Sequence, residues 1–316
     1  MDERKKNIYV VGRIKKPTSY VIDRIRRRVY MSLKDEFNFL SIDDGLFPKK
    51  VHMLHSQPYP IGIWGYRAFK LRNPKMKHIT TFYGIPPDYK SAKKYVRISD
   101  IITTVSLTTR IQAYHKFGDA DYRVIYDGVD AEFYKPDKNK IRNKKIKILM
   151  NLSGIRNLKN HRIFLQMAKR FPEADFIFHT FSEINTTLKN VTINNNKYPV
   201  SNDMGDCEGL KNLYNSVDIY LYPSIHEGLN NTMLEAMACG LPLIAFDTTS
   251  MPELIEDGKN GFLCKNHRDM EEKLSYLIQD EQVREKMGNK SREIAKWYTW
   301  QRCIQGYKEI YEEILL

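Results

Sequence analysis

Two kinds of apolar run alternate along the chain. Short, nearly continuous runs at residues 7–11, 51–55, 77–82, 99–105, 123–128, 147–152, 175–180, 190–194, 218–222 and 243–246 read as buried strands. Between them apolar residues recur at spacings of three and four, the period of a helix with one buried face. In residues 20–37 that stripe is Ile22, Ile25, Val29 and Leu33, with Arg24, Arg26, Arg27, Arg28 and Lys34 on the remaining faces. Further helical periods cover 64–71, the run started by Ser106, 160–171, 206–217, 232–239, 267–280, 282–298 and 300–316. Strand and helix in turn predict an α/β protein of doubly wound, Rossmann-like parallel sheets. Residues 136–145 are polar and charged with no apolar period and read as a linker. The expected division is 1–140, 141–298 and a closing helix at 299–316. No repeat at solenoid periods and no low-complexity tract is present.

The most informative stretch is 218–261. A buried strand turns at Pro223-Ser224, a polar loop runs from His226 to Asn231, and a helix follows over 232–239, ended by Gly240 and Pro242. Such units place ligands at the carboxyl ends of their strands. Glu227 lies in the loop and Glu235 about one turn into the helix. Both can face the space above the helix N-terminus, where unbonded N–H groups and the helix dipole attract an anion such as a diphosphate. Glu235 can then accept from a ribose diol while Glu227 sits beside a sugar. Equally, a first-turn capping carboxylate and a solvated loop carboxylate fit the same spacing.

Composition narrows the classes. The 316 residues suffice for two domains, and 42% hydrophobic content supplies their cores. The four cysteines, Cys207, Cys239, Cys264 and Cys303, form no CxxC pair, which argues against a zinc or redox site and for a reducing compartment. The charged start MDERKKN is no signal peptide, and no apolar run reaches about eighteen residues, so a cytoplasmic protein is expected. The net charge of +13 is lopsided, with +12 in residues 1–136 and +1 in the remainder. A basic first half suits anionic partners: lipid headgroups on the inner membrane face, acidic glycans or nucleic acid. The helix at 20–37 reads either as a sheet-covering helix with a basic outer side or as a membrane-surface helix. A solvated, solubilising surface fits the charge as well. No zinc pattern or aromatic-rich recognition motif accompanies it, so nucleic acid is not the expected partner.

The segment PSIHEGLNNTMLEAMACGLPLIA, with Glu227 and Glu235 separated by seven residues, and MPELIEDGKNGFL after it, resembles the signature of the family-4 retaining glycosyltransferases among the group 1 glycosyltransferases. The resemblance covers about forty residues closely; fainter matches run from about residue 78 to the C-terminus. It implies the GT-B fold: two Rossmann-like domains facing across a cleft, the first binding acceptor and the second the nucleotide-sugar donor. The closing helix would cross back to the first domain.

The resemblance also implies site residues. That family places an Arg and a Lys five apart to bind the diphosphate. Lys159 matches the Lys, whereas the Arg position falls on Gly154, with Arg156 as a substitute two residues on. Gly228, Leu229, Asn230, Asn231 and Thr232 would orient sugar and diphosphate at the helix entrance, and Gly12 is the one glycine left of a Gly-rich turn near diphosphate and acceptor. Tyr83 stands where the family often has a His, and it cannot serve as a base near neutral pH. The implied reaction is transfer of a hexose from a UDP- or GDP-sugar to a glycan, lipid or protein acceptor, with retention and with no metal or other cofactor. Asp119-Ala-Asp121 is the DxD of a different transferase fold and is read as chance. A sugar-nucleotide hydrolase or epimerase on the same fold, a basic nucleic-acid-binding protein (including a transferase that glycosylates DNA), and a non-catalytic scaffold stay open as alternatives.

Overall fold

A computed structural model describes residues 4–12, 14, 21–45, 47–57, 62–85, 89–139, 144–152 and 159–316. Contacts divide the chain into two α/β units, each built on one six-stranded parallel sheet. Unit 1 comprises Met1–Asp127, Val200–Asp206 and Trp300–Leu316; unit 2 comprises Gly128–Pro199 and Cys207–Thr299.

Unit 1 runs β1 (Asn7–Val10), α1 (Val21–Leu33), β2 (Asn38–Leu40), β3 (Met53–Ser56), α2 (Gly62–Arg72), β4 (Lys77–Phe82), α3 (Tyr89–Ile98), β5 (Ile101–Thr104), α4 (Leu107–Phe117) and β6 (Tyr122–Val124). The chain's last helix, α11 (Trp300–Leu315), completes it. Among the described residues the strands form one parallel sheet in the order β2-β1-β3-β4-β5-β6. Right-handed crossovers put α2, α3 and α4 on one face, because β3 to β6 step in one direction. The step from β1 to β2 runs the other way and puts α1 on the opposite face, where α11 joins it. The pleat agrees. Ile8 and Val10 pack with Ile25, Val29 and Leu33 of α1 and Tyr307 and Tyr311 of α11, whereas Tyr9 and Val11 pack with Phe69 of α2.

Helix α1 covers the sheet with the stripe its spacing predicts, except that Ile22 is only half-buried. The basic outer side is much reduced: of the five basic residues only Lys34 is exposed, and Arg26 is half-buried against Asp23. Arg24, Arg27 and Arg28 are 5–6% exposed. Arg27 donates to the carbonyls of Ile14 and Asp203, at 3.0 and 2.6 Å. Arg28 pairs with Asp206, which is itself buried, and its guanidinium lies 4.6 Å from the Trp300 ring centre. A helical period locates an apolar stripe but does not report how far burial extends around the helix. Here the 200–206 segment covers the flank where solvent was expected.

Unit 2 runs β7 (Lys147–Leu152), α5 (His161–Arg170), β8 (Asp175–Thr180), β9 (Val191–Asn194), α6 (Glu208–Asn215), β10 (Ile219–Tyr222), α7 (Asn231–Ala238), β11 (Leu243–Phe246), α8 (Met251–Leu254), β12 (Gly261–Cys264), α9 (His267–Gln279) and α10 (Glu281–Ala295). Its parallel order is β12-β11-β10-β7-β8-β9. From β7 the chain winds outwards through β8 to β9, then returns to β10 and winds the other way. β7 and β10 are therefore adjacent strands whose following loops diverge, the switch point at which such sheets open a crevice.

Strands β2 and β12 lie outside the strand pattern predicted from sequence. Both are sheet edges of three or four residues, too few positions to show a period. No helix among the described residues is long and apolar enough to cross a membrane. The four cysteines are free and buried.

Candidate active site

The two loops at the switch point of unit 2 carry most of the candidate residues. The loop after β10 ends in Asn230, which caps α7. Its Oδ1 accepts from the Met233 amide at 2.9 Å and from the Thr232 hydroxyl at 2.8 Å, and the Thr232 hydroxyl also meets that of Tyr220 at 2.7 Å. Helix α7 thus starts one residue earlier than the sequence suggests, at Asn231, with its cap already satisfied by a side chain. Gly228, Leu229 and Asn230 are buried, while Asn231 and Thr232 are half-buried at the helix entrance.

Glu235 is the fifth residue of α7 and 3% exposed. It is no first-turn cap. Its Oε2 accepts from the Tyr214 hydroxyl at 2.9 Å. Tyr214 in turn accepts from Asn151 Nδ2 at 2.8 Å, and Asn151 Oδ1 meets His179 Nδ1 at 2.8 Å. His179 Nε2 reaches the Asn196 carbonyl at 3.1 Å. A buried polar chain therefore runs from β8 through β7 and α6 to Glu235. Burial and then the Glu235 charge push the Tyr214 pKa well up, so it stays a donor. Burial lowers the His179 pKa, opposed by the Asn196 carbonyl and Glu235.

Glu227 is not a solvated loop carboxylate either. It forms an ion pair with Lys159, the two side chains being 10% and 19% exposed. Lys159 lies in the loop after β7 and Glu227 in the loop after β10, so the pair bridges the switch point. The Lys159 ammonium stands 5.8 Å from the centre of the Tyr222 ring. Burial and the Glu227 charge hold the Tyr222 hydroxyl protonated, with its pKa well above the ordinary value. The Glu227 amide donates to Thr249 Oγ1 at 3.3 Å, and Thr249 takes a left-handed backbone (φ 46°). Asn160, next to Lys159, does the same (φ 48°) at the start of α5.

Arg156 and Gly154 lie outside the described residues. Gly12 belongs to unit 1, at the end of β1 and beside that sheet's own switch point between β1 and β3. Its φ is +136°, and a Cβ there would fall 2.1 Å from Arg26 Nη1. Burial pushes the Tyr83 pKa up, which keeps it neutral. Asp121 of the Asp-Ala-Asp triplet is engaged by Arg123, 2.8 Å away. Among the described residues no group of three or more His, Cys, Asp and Glu could hold a metal ion.

Sequence reasoning missed Tyr214, Tyr222, Asn151 and His179. The tyrosines counted as apolar positions of their elements. Asn151 and His179 carry a usable signal: each is a polar residue second from the end of its strand, directly after three apolar residues.

The model of the family described as "Glycosyl transferases group 1" matches residues 134–294. The chain belongs to the group 1 glycosyl transferases. This group 1 glycosyl transferase is 25% identical over 282 residues to the N-acetyl-alpha-D-glucosaminyl L-malate synthase of Bacillus anthracis, covering 81% of this chain and 73% of that enzyme. The match to an uncharacterised glycosyltransferase of Methanocaldococcus jannaschii is 36% identical over 94 residues, but spans only 29% of this chain and 27% of that protein's length. Among solved structures, the sucrose-phosphate synthase of Thermosynechococcus elongatus superposes with a TM-score of 0.79 at 11% identity, over 98% of this chain and 99% of the other. Anabaena HepE in complex with UDP-glucose gives 0.75 at 15%, over 97% and 99%. At these identities the structures speak for the fold. The matched span holds Lys159, Arg156, Glu227–Thr232 and Glu235; Gly12 lies before it.

Proposed function

We propose that the protein is a retaining, family-4 type glycosyltransferase that moves a hexose from a nucleotide-diphosphate sugar to a hydroxyl of a glycan, lipid or protein, without a metal. The observation that carries this reading is the Lys159–Glu227 pair at the switch point of unit 2, beside the N-terminus of α7. A largely desolvated ammonium facing a carboxylate contributes little to stability, because the cost of removing both from water offsets their attraction. Next to a helix entrance it supplies what a diphosphate needs: one cation, N–H groups and low dielectric.

In this reading the bond between the anomeric carbon and the diphosphate oxygen breaks, and the electron pair leaves with the phosphate. Lys159 and the amides at Asn231–Thr232 stabilise that charge, each cation-like contact contributing about 3 kcal/mol, the size of one oxyanion-hole donor. Arg156 adds a second cation. The acceptor oxygen bonds to the same face of the sugar, and its proton passes to the departing phosphate. Glu227 and the backbone of Gly228, Leu229 and Asn230 orient the sugar, and Glu235 holds the ribose. Gly12 makes room for the Arg26 guanidinium beside the switch point of the unit 1 sheet, the side on which the acceptor would bind. The UDP-glucose bound to the Anabaena relative supports a UDP-sugar as the first donor to try.

Thermal-shift screening of UDP-, GDP- and ADP-sugars tests the donor, because a ligand that binds only the folded state raises the melting temperature. A stabilising donor should then release its nucleotide in the presence of acceptor extracts, with an axial or equatorial product matching the donor's own anomer. Inverted product ends the retaining assignment; no response to any nucleotide sugar ends the donor site.

A further inference from the structure

The face of the unit 1 sheet covered by α2, α3 and α4 has an unusual surface. None of these three helices contains an Asp or Glu. On the middle helix, Lys90, Lys93, Lys94 and Arg97 are all exposed. Among the described residues none of these four has a carboxylate within salt-bridge reach. The flanking helices add large apolar side chains to exposed cations of their own, Arg67 and Arg72 on α2 and Arg110 and Lys116 on α4. Trp64 and Leu71 on α2 are 79% and 82% exposed, and Leu107, Ile111 and Tyr114 on α4 are 44%, 48% and 52% exposed. These five are nearly half of the eleven exposed large hydrophobic residues described, on two helices of eleven residues each. They repeat at helical spacing and point away from the core, which α2 to α4 cover with Phe69, Ala92, Val96, Ala113 and Phe117 instead.

Exposed cations on all three helices, with no acidic residue among them and with apolar side chains on the outer two, match one environment: the interfacial layer of a bilayer containing anionic lipid. We infer that this face is where the protein sits on such a membrane, with the α3 cations at the phosphates and Trp64, Leu71, Leu107, Ile111 and Tyr114 among the upper acyl carbons. The Arg67 guanidinium, 5.1 Å from the Trp64 ring centre, bridges the two layers. Nucleic acid would use the cations but would leave Leu71, Leu107 and Ile111 in water. The inference moves membrane contact from α1, whose arginines are buried, to the opposite side of the same sheet. It stands independently of the donor site in unit 2.

The test is vesicle flotation of the full chain with phosphatidylcholine alone and with added phosphatidylglycerol. Binding should appear only with the anionic lipid and fall as salt rises. Lys90→Glu/Lys93→Glu/Lys94→Glu should weaken it at least about a hundredfold, given about fivefold per basic residue at an anionic surface. Trp64→Ser/Leu71→Ser should abolish the blue shift of tryptophan emission on vesicle addition. All five positions are exposed, so melting temperature and nucleotide binding should be unchanged. Absence of vesicle binding, equal binding by the triple variant, or preferential binding of duplex RNA over vesicles overturns the proposal.

Discussion

Lys159 and Glu227, 68 positions apart in sequence, form an ion pair across the switch point of the second sheet. Each is the other's partner in a mostly buried setting, so a diphosphate that recruits the ammonium must take it from the carboxylate or share it. The pair therefore sets both how tightly the nucleotide is held and where the sugar is placed.

Glu227→Gln separates these roles. It frees the ammonium for phosphate and keeps the side-chain shape. Affinity for the nucleoside diphosphate should hold or rise, while turnover falls by about 10²–10³, the cost of one preorganised electrostatic contact. Lys159→Ala should lower both. Calorimetric titration with nucleotide alongside turnover checks this; equal loss of affinity in both variants would show that the ammonium does not meet the phosphates.

Tyr214→Phe removes one hydroxyl from the buried chain ending at Glu235. An acceptor stripped of its donor in such a place costs about 1–3 kcal/mol. Glu235 then loses its fixed orientation, and preference for a ribonucleotide over its 2′,3′-dideoxy analogue should shrink about tenfold. Glu235→Gln should shrink it further. If Tyr214→Phe melts earlier but keeps full discrimination, the hydroxyl is structural only.

Arg28 and Asp206 form the most deeply buried ion pair described, with side chains 6% and 1% exposed. Breaking one partner leaves a buried charge uncompensated, so Asp206→Ala should destabilise by about 3–5 kcal/mol. Arg28→Met with Asp206→Leu should recover much of that. Chemical denaturation of the three proteins measures it, and a mild single-variant effect would mean that water reaches the guanidinium.

His55 and His78 are kept neutral by burial, with pKa values lowered to about 3 and about 4 from 6.5. The unfolded chain takes up protons near pH 6.5 that the folded chain refuses, so stability is complete above that value and lost as pH falls below it. Each histidine adds a slope of about 1.4 kcal/mol per pH unit down to its folded pKa. His55→Asn should cost stability at neutral pH and flatten the acid slope by that amount. An unchanged slope in melting experiments between pH 6 and pH 4 would place the protons elsewhere.

The strands at 77–82, 147–152 and 175–180 could be read from sequence to the residue, because six positions built around β-branched, aromatic or aliphatic residues suffice for a pattern. Edge strands β2 and β12 could not. The carboxylates of the second unit were visible from their spacing, since a loop and a following helix fix where each can point. Their surroundings were not: the Tyr214–Asn151–His179 chain joins α6, β7 and β8, and only the sheet order brings these elements together. The α1 arginines failed differently. Sequence alone weighs Arg as exposed, and their burial depends on a segment some 176 positions away.

That segment, Val200–Asp206, reaches unit 1 from the middle of unit 2's sequence. Neither unit can thus be liberated by one cut. A fragment ending near residue 140 would keep Arg27 and Arg28 facing its interior yet forfeit the carbonyl and carboxylate that neutralise them, and would lose Trp300 from above the guanidinium. The ribosome delivers Asp203 and Asp206 only after three of the second sheet's six strands, and Trp300 only after all six, so the first-made half of this protein must wait for the later-made half before it can close.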